Sequence, residues 1–261
     1  LRSGILTRQD ARGRRPGLRD AIPCFFPETQ MMVTKEQFAK MQDHSILGTY
    51  CKRSDVRRFC EEVLEYGFAS VYVNPCDVSF AKSIVGDRAG VGTVIGFPQG
   101  ATTTRTKIFE ALEAIDNGAT ELDIVVNVSR LKDGDTGYVK NELTEFVKAV
   151  KAKKPGVLVK VIIECYYLSH DEKMTACNLV VESGADYVKQ STGTTPNSSF
   201  CLGDTRLLKN VIGDRIRIKS SGCIMNVEDA IGSIEFGASR VGNSLGPQWL
   251  DEFDKQLWCR K

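Results

Sequence analysis

The chain has 261 residues, 42% hydrophobic and 26% charged, with a formal net charge of +2. These totals are those of a soluble globular chain, and no apolar run approaches a membrane span. Nine cysteines, an odd number without a repeated CxxC spacing, read as reduced thiols of a cytoplasmic protein, and the two histidines, His44 and His170, stand too far apart to suggest a zinc site.

The first segment is set apart by charge. Residues 1–20 hold six arginines and two aspartates, so the rest of the chain sums to −2. The body therefore lacks the electrostatic footprint of a nucleic-acid binder. Residues 1–30 are expected to form a flexible basic arm, with a transit, membrane or protein contact as its alternative role. The arm shows no signal-peptide pattern.

From about residue 50 one unit recurs. A helix-period segment ends in glycine, a small residue often follows, and a short apolar strand begins. Instances are Gly67 before Val71-Tyr72-Val73, Gly118 before Leu122-Asp123-Ile124, Gly184 before Tyr187-Val188-Lys189, and Gly237 before Arg240-Val241-Gly242. Strands are expected over 71–73, 92–96, 121–126, 157–163, 186–189, 215–219 and 239–242, with a weaker one before Asp43-His44. Ile108, Leu112 and Ile115 mark one helix face; Val139, Leu143, Phe146, Val147 and Val150 mark another. Ser169 with Glu172 makes a capping box, and Asp204 and Asn226 are candidate N-caps. Eight such units predict one (β/α)8 TIM barrel over residues 31–261. An open doubly wound sheet is the runner-up, but no GxGxxG follows a strand.

In this barrel the chemistry sits at the C-terminal strand ends. Polar residues that break the apolar pattern gather there: Asn74, Asp123, Asn127, Glu164, Lys189, Lys219 and Asn243. Lys189 is the candidate amine nucleophile. A free lysine, with a pKa of about 10.4, is neutral in only about one part in a few thousand at pH 7. A second ammonium and a dry interior both shift it toward the neutral form, and Lys219, one strand on, can be that ammonium. Asp123 is either a proton acceptor or only a counter-ion to Lys160 or Lys219. Lys160, predicted to pair with Asp123 or Glu164, is either a counter-ion or catalytic. The turns Ser191-Thr192-Gly193, Ser220-Ser221-Gly222 and Gly242-Asn243-Ser244 either form a phosphate pocket or are simply turns.

Together these segments resemble deoxyribose-phosphate aldolases, the class I Schiff-base enzymes. The resemblance runs from about Asp43 to Gly246. It rests on Val73-Asn74-Pro75, GTVIGFPQGATTTRTK (92–107), NGATELDIVVN (117–127), VKVIIE (159–164), the segment 185–193 and Lys219–Gly222. It implies Lys189 as the Schiff-base lysine, Lys219 as the lysine that lowers its pKa, and Asp123 as the proton relay, with Lys160 and Asp43 in support. Ser191, Thr192, Gly193, Ser221, Gly222, Asn243 and Ser244 would surround the substrate and its phosphate. The implied substrate is a phosphorylated deoxy sugar; no metal or cofactor is needed, because the iminium is the electron sink. A homodimer is an expected assembly.

The chain also departs from the family pattern. Cys223 stands where a second glycine is usual, Asn243 where a serine is usual, and Gln190 where a threonine is usual. These changes leave two rival readings open: a lysine aldolase for a different aldehyde, and an aldolase-derived scaffold that binds a protein.

Overall fold

A computed structural model describes residues 33–196 and 198–259, with side chains through Phe253. Eight strands close into a barrel in chain order: β1 (Gln42–Ile46), β2 (Ser70–Val73), β3 (Gly90–Ile95), β4 (Glu121–Val125), β5 (Leu158–Ile162), β6 (Tyr187–Lys189), β7 (Arg217–Ser220) and β8 (Arg240–Asn243). Each pair is parallel, and β1 closes the ring on β8 with His44 opposite Asn243. The expected barrel is therefore present in the region from Val33 onward. The expected arm over residues 1–30 lies outside the described residues.

Strand ends follow the hydrogen-bond ladder rather than the Val/Ile content, and this moves several boundaries. β1 contains Asp43 and His44 instead of preceding them, and β7 and β8 each run one residue further, to Ser220 and Asn243. Gly67, Gly118, Gly184 and Gly237 take positive φ at the helix ends, where glycine is favoured. The capping box at Ser169 and the Asn226 cap form as expected. Asp204 does not cap. The helix Leu202–Ile212 starts one turn earlier, at Cys201, and Asp204 instead accepts from Lys173 at 2.7 Å.

The helix Thr136–Lys153 buries Val139, Leu143, Phe146, Val147 and Val150, the full expected stripe. The helix Thr104–Asp116 is rotated from the expected face. Lys107, Ala111, Ala114 and Ile115 are buried, while Ile108 and Leu112 are only partly so. Lys107 takes the deep position because its ammonium meets Glu142 at 2.9 Å and the Val125 carbonyl at 2.9 Å. Among the described residues no helix is long and apolar enough to cross a membrane.

Strand alternation divides the barrel into two environments. Outward residues such as Val71, Val91, Leu122, Ile124, Val159, Val161, Val188, Ile218 and Val241 form the core against the helices. Each fully buried aliphatic side chain there contributes about 1.5–3 kcal/mol. The inward positions differ from the branched apolar layers usual in this fold. They carry Asp43, Tyr72, Glu121, Asp123, Lys160, Lys189 and Lys219, all buried. Stability thus rests chiefly on the outer shell, and the lumen holds a charge cluster beside a few apolar side chains, Val94, Val125 and Ile162.

Candidate active site

β6 and β7 pair with Lys189 beside Lys219, so both side chains enter the lumen at one level. Asp123 on β4 meets both. Lys189 Nζ donates to Asp123 Oδ2 at 2.7 Å, and Lys219 Nζ donates to the same oxygen at 2.9 Å. The two nitrogens are therefore at most two hydrogen bonds apart. Behind them Lys219 also reaches Asp43 Oδ2 at 2.7 Å, and Lys160 reaches that oxygen at 2.7 Å and Glu121 as well. Arg240 closes the ladder on Asp43 and on Glu121 Oε1.

Lys160 thus pairs with Asp43 and Glu121, not with Asp123 or Glu164 as expected. Lys160 and Asp123 are register neighbours, but the long lysine side chain crosses the lumen to β1. Asp43, expected in a supporting place, lies among these charges and accepts from Ser70 Oγ at 2.8 Å. Glu164 leaves the strand pattern at a left-handed φ of 55°, and its carboxylate accepts from Ser191 Oγ and the Thr192 N–H. It clasps the loop after Lys189 rather than joining the charge ladder.

The electrostatics divide the roles. Burial works to raise the Asp123 carboxyl, but the attraction of Lys189, Lys219 and Lys160 outweighs it and holds the group at about 2. Burial also opposes the Lys160 charge, yet Asp43, Glu121 and Asp123 raise its pKa, so it stays a cation, as a counter-ion should. Burial pushes Lys219 down to about 8, against the pull of Asp123 and Asp43 and with help from the Lys189 and Lys160 charges. The two ammonium groups share one oxygen, so their charges are coupled. Four cations (Lys160, Lys189, Lys219, Arg240) face three carboxylates (Asp43, Glu121, Asp123), so losing one proton balances the cluster.

Position separates the two lysines. A cavity of about 610 Å³ opens at the C-terminal mouth, lined by Lys189, Gly193, Gly222, Cys223, Asn243 and Ser244 among others. Lys189 borders it, while Lys219 and Asp123 lie deeper, 1% and 0% exposed. Of the two lysines, Lys189 is the one that lines the cavity.

Of the residues expected around the phosphate, Thr192, Gly193, Ser221, Gly222, Asn243 and Ser244 border this cavity and Ser191 does not, and several of their polar groups are already engaged. Ser191 Oγ donates to Glu164 and accepts from the Gly193 N–H at 3.0 Å, and Ser221 Oγ donates to the Ser191 carbonyl at 2.7 Å. Asn243 donates to Gln42 Oε1 at 3.0 Å and accepts from the Leu245 N–H at 2.8 Å. These contacts build the cradle. Gly222 is required in it, because a Cβ there would lie 2.6 Å from Ser191 Cβ. Cys223 holds a left-handed φ of 57° and lines the same mouth. Such a conformation costs an L-residue about 1–2 kcal/mol. Cys223→Gly is expected to stabilise the fold by about 0.5–1 kcal/mol after glycine's own entropy cost, and to lower the KM for a phosphate ester. Thermal unfolding and initial rates check it, and an unchanged KM would show that the thiol does not crowd the anion.

Sequence reasoning did not find three members of the cluster: Tyr72, Glu121 and Arg240. It also gave no physical role to the long GFPQGATTTRTK motif. In the structure that motif supports the end of β4. A Cβ at Gly100 would lie 2.0 Å from the Val126 carbonyl oxygen, and Lys107 anchors the Val125 carbonyl.

A lysine pair on one carboxylate at the C-terminal mouth of a (β/α)8 barrel matches the class of lysine-dependent aldolases. The comparisons with known proteins agree. Residues 34–246 match the DeoC/LacD family aldolase model. The deoxyribose-phosphate aldolase of Thermoanaerobacter pseudethanolicus is 47% identical over 218 residues, covering 83% of this chain and 97% of that protein. That of Thermococcus gammatolerans is 44% identical over 211 residues, covering 80% and 92%. Among solved structures, the aldolase QR15 superposes with a TM-score of 0.78 at 37% identity, covering 86% of this chain and 99% of its own. The chain belongs to the DeoC/LacD aldolase family.

Proposed function

We propose that this protein cleaves 2-deoxy-D-ribose 5-phosphate reversibly to acetaldehyde and D-glyceraldehyde 3-phosphate through a Schiff base on Lys189. The observation that carries the reading is the sharing of Asp123 Oδ2 by a lysine at the cavity wall and a second, deeper lysine. The named activity of the relatives supports it.

The pair releases one proton, and neutral Lys189 attacks the C1 aldehyde. The proton given up earlier returns to the carbinolamine hydroxyl, which leaves as water to give the iminium, with Lys219 retaining its own positive charge beside Asp123. Asp123, kept ionised, takes the C3 hydroxyl proton directly or through a water. The C2–C3 electron pair flows into the iminium, glyceraldehyde 3-phosphate leaves, and Asp123, now protonated, returns the proton to the enamine at C2. Water then releases acetaldehyde and the free amine.

A coupled assay for glyceraldehyde 3-phosphate release tests the reading. We expect kcat/KM for the phosphate ester to exceed that for 2-deoxyribose about a hundredfold, the order of two charge-assisted hydrogen bonds. Equal rates on the two sugars would favour a lysine aldolase for an unphosphorylated aldehyde. No cleavage and no trapped lysine adduct would leave the scaffold reading. The tetrameric structure of the Aeropyrum pernix relative, at 27% identity, supports self-association as part of this reading. Light scattering of the full chain tests that expectation, and a monomer would contradict it.

A further inference from the structure

The phenol of Tyr72 stands inside the charge ladder, and nothing in the mechanism above uses it. Tyr72 is fully buried on β2, and its register partner on β3 is Gly92. A Cβ at Gly92 would fall 2.3 Å from the Tyr72 ring, so the ring occupies the space that any other residue at 92 would fill. Its hydroxyl donates to Asp123 Oδ1 at 2.7 Å. Glu121 Oε2 is 3.2 Å from the same phenol oxygen, but one O–H has one proton, and the shorter contact takes it. The ring face meets the Lys219 ammonium at 3.6 Å and that of Lys160 at 5.0 Å.

Asp123 is thus held from both sides: Oδ2 by two ammonium groups, Oδ1 by one phenol. We propose that Tyr72 is a positioning residue for the proton-transfer acid, locking Asp123 with Oδ2 turned to the lysine pair. This rests on the Schiff-base reading of the site. Burial, and then Asp123, Glu121 and Asp43, raise the phenol's pKa well above its ordinary value, so it remains a donor throughout the working range.

The hold matters most after the covalent step. An ammonium has three N–H bonds; the iminium that replaces it on Lys189 has one. The lysine's grip on Asp123 therefore weakens when the carboxylate must next move a proton. From that point Lys219 and Tyr72 fix its plane. The nucleophile makes no hydrogen bond to the phenol, so attack on the carbonyl does not depend on it.

The test uses acetaldehyde alone, so it does not require the sugar phosphate. Two rates are measured on the full chain: borohydride trapping of the acetaldehyde Schiff base, and exchange of acetaldehyde's methyl hydrogens with D2O, which needs proton removal from the iminium. Tyr72→Phe keeps the ring over Lys219 and against Gly92. We expect trapping within about twofold of the parent and exchange lowered about tenfold or more, the value of one hydrogen bond to a charged group. In an Asp123→Asn background the same substitution is expected to change exchange less than about twofold, because the effect travels through Asp123. Exchange within twofold in the single variant, or trapping that falls in step with exchange, would overturn the proposal. A parent that traps and exchanges acetaldehyde but does not cleave deoxyribose 5-phosphate would overturn the substrate assignment and leave the Tyr72 result standing. A parent that does neither removes the Schiff base, and Tyr72's role with it.

Discussion

Lys189→Ala is expected to lower turnover by at least about a thousandfold while the barrel stays folded. The loss is large because the lysine forms the covalent intermediate, and no neighbouring amine can replace it. Lys219 is fully buried behind it and is committed to Asp43, Asp123 and the Tyr72 ring. The fold survives because the lumen carries one more cation than carboxylates, and Asp123 keeps its contacts to Lys219 and Tyr72. Initial rates with deoxyribose 5-phosphate and a thermal unfolding curve check both halves. Activity within tenfold of the parent would remove Lys189 from its role.

The second large effect is expected from Lys219→Met, and it appears in the pH dependence. In the parent, kcat/KM should rise with pH through about 8, the value to which burial lowers the Lys219 ammonium that shares Asp123 with the nucleophile. Removing the second cation favours the protonated nucleophile, which still faces Asp123. The rising limb should therefore move to higher pH by one unit or more, and activity at pH 7 should fall at least about tenfold. An unchanged midpoint would show that the two lysines do not share a proton. The same depression has a consequence for stability. Between about 8 and the ordinary lysine value of 10.5 the unfolded chain binds more protons at Lys219 than the folded one, so this group's contribution to stability rises with pH across that window.

The fold was legible because two signals coincide. Glycines such as Gly118 and Gly184 close helices, and Val/Ile-rich runs follow within a few residues. Strand boundaries were less so, because the ladder extends through polar residues such as Ser220 and Asn243 that carry no strand signal. Lys189, Lys219 and Asp123 stood out because a charge within an apolar strand demands a partner. Tyr72 did not, since a tyrosine between two valines reads as ordinary core. Glu121 and Arg240 begin their strands, where a charge reads as solvated. The partner of Lys160 could not be found from spacing, because Asp43 lies across the lumen on β1 and only barrel closure brings them together. Glu164 misled for a local reason: simple alternation puts it on the Lys160 face, but its left-handed backbone turns it to the 191–192 loop.

The direct measurement is mass spectrometry of the protein after borohydride reduction with acetaldehyde at neutral pH, followed by peptide mapping. An ethyl group on Lys189, absent in Lys189→Ala, is the predicted result. Modification of Lys219 instead, or no adduct while deoxyribose 5-phosphate is being cleaved, would contradict the assignment of the cavity-wall lysine as nucleophile.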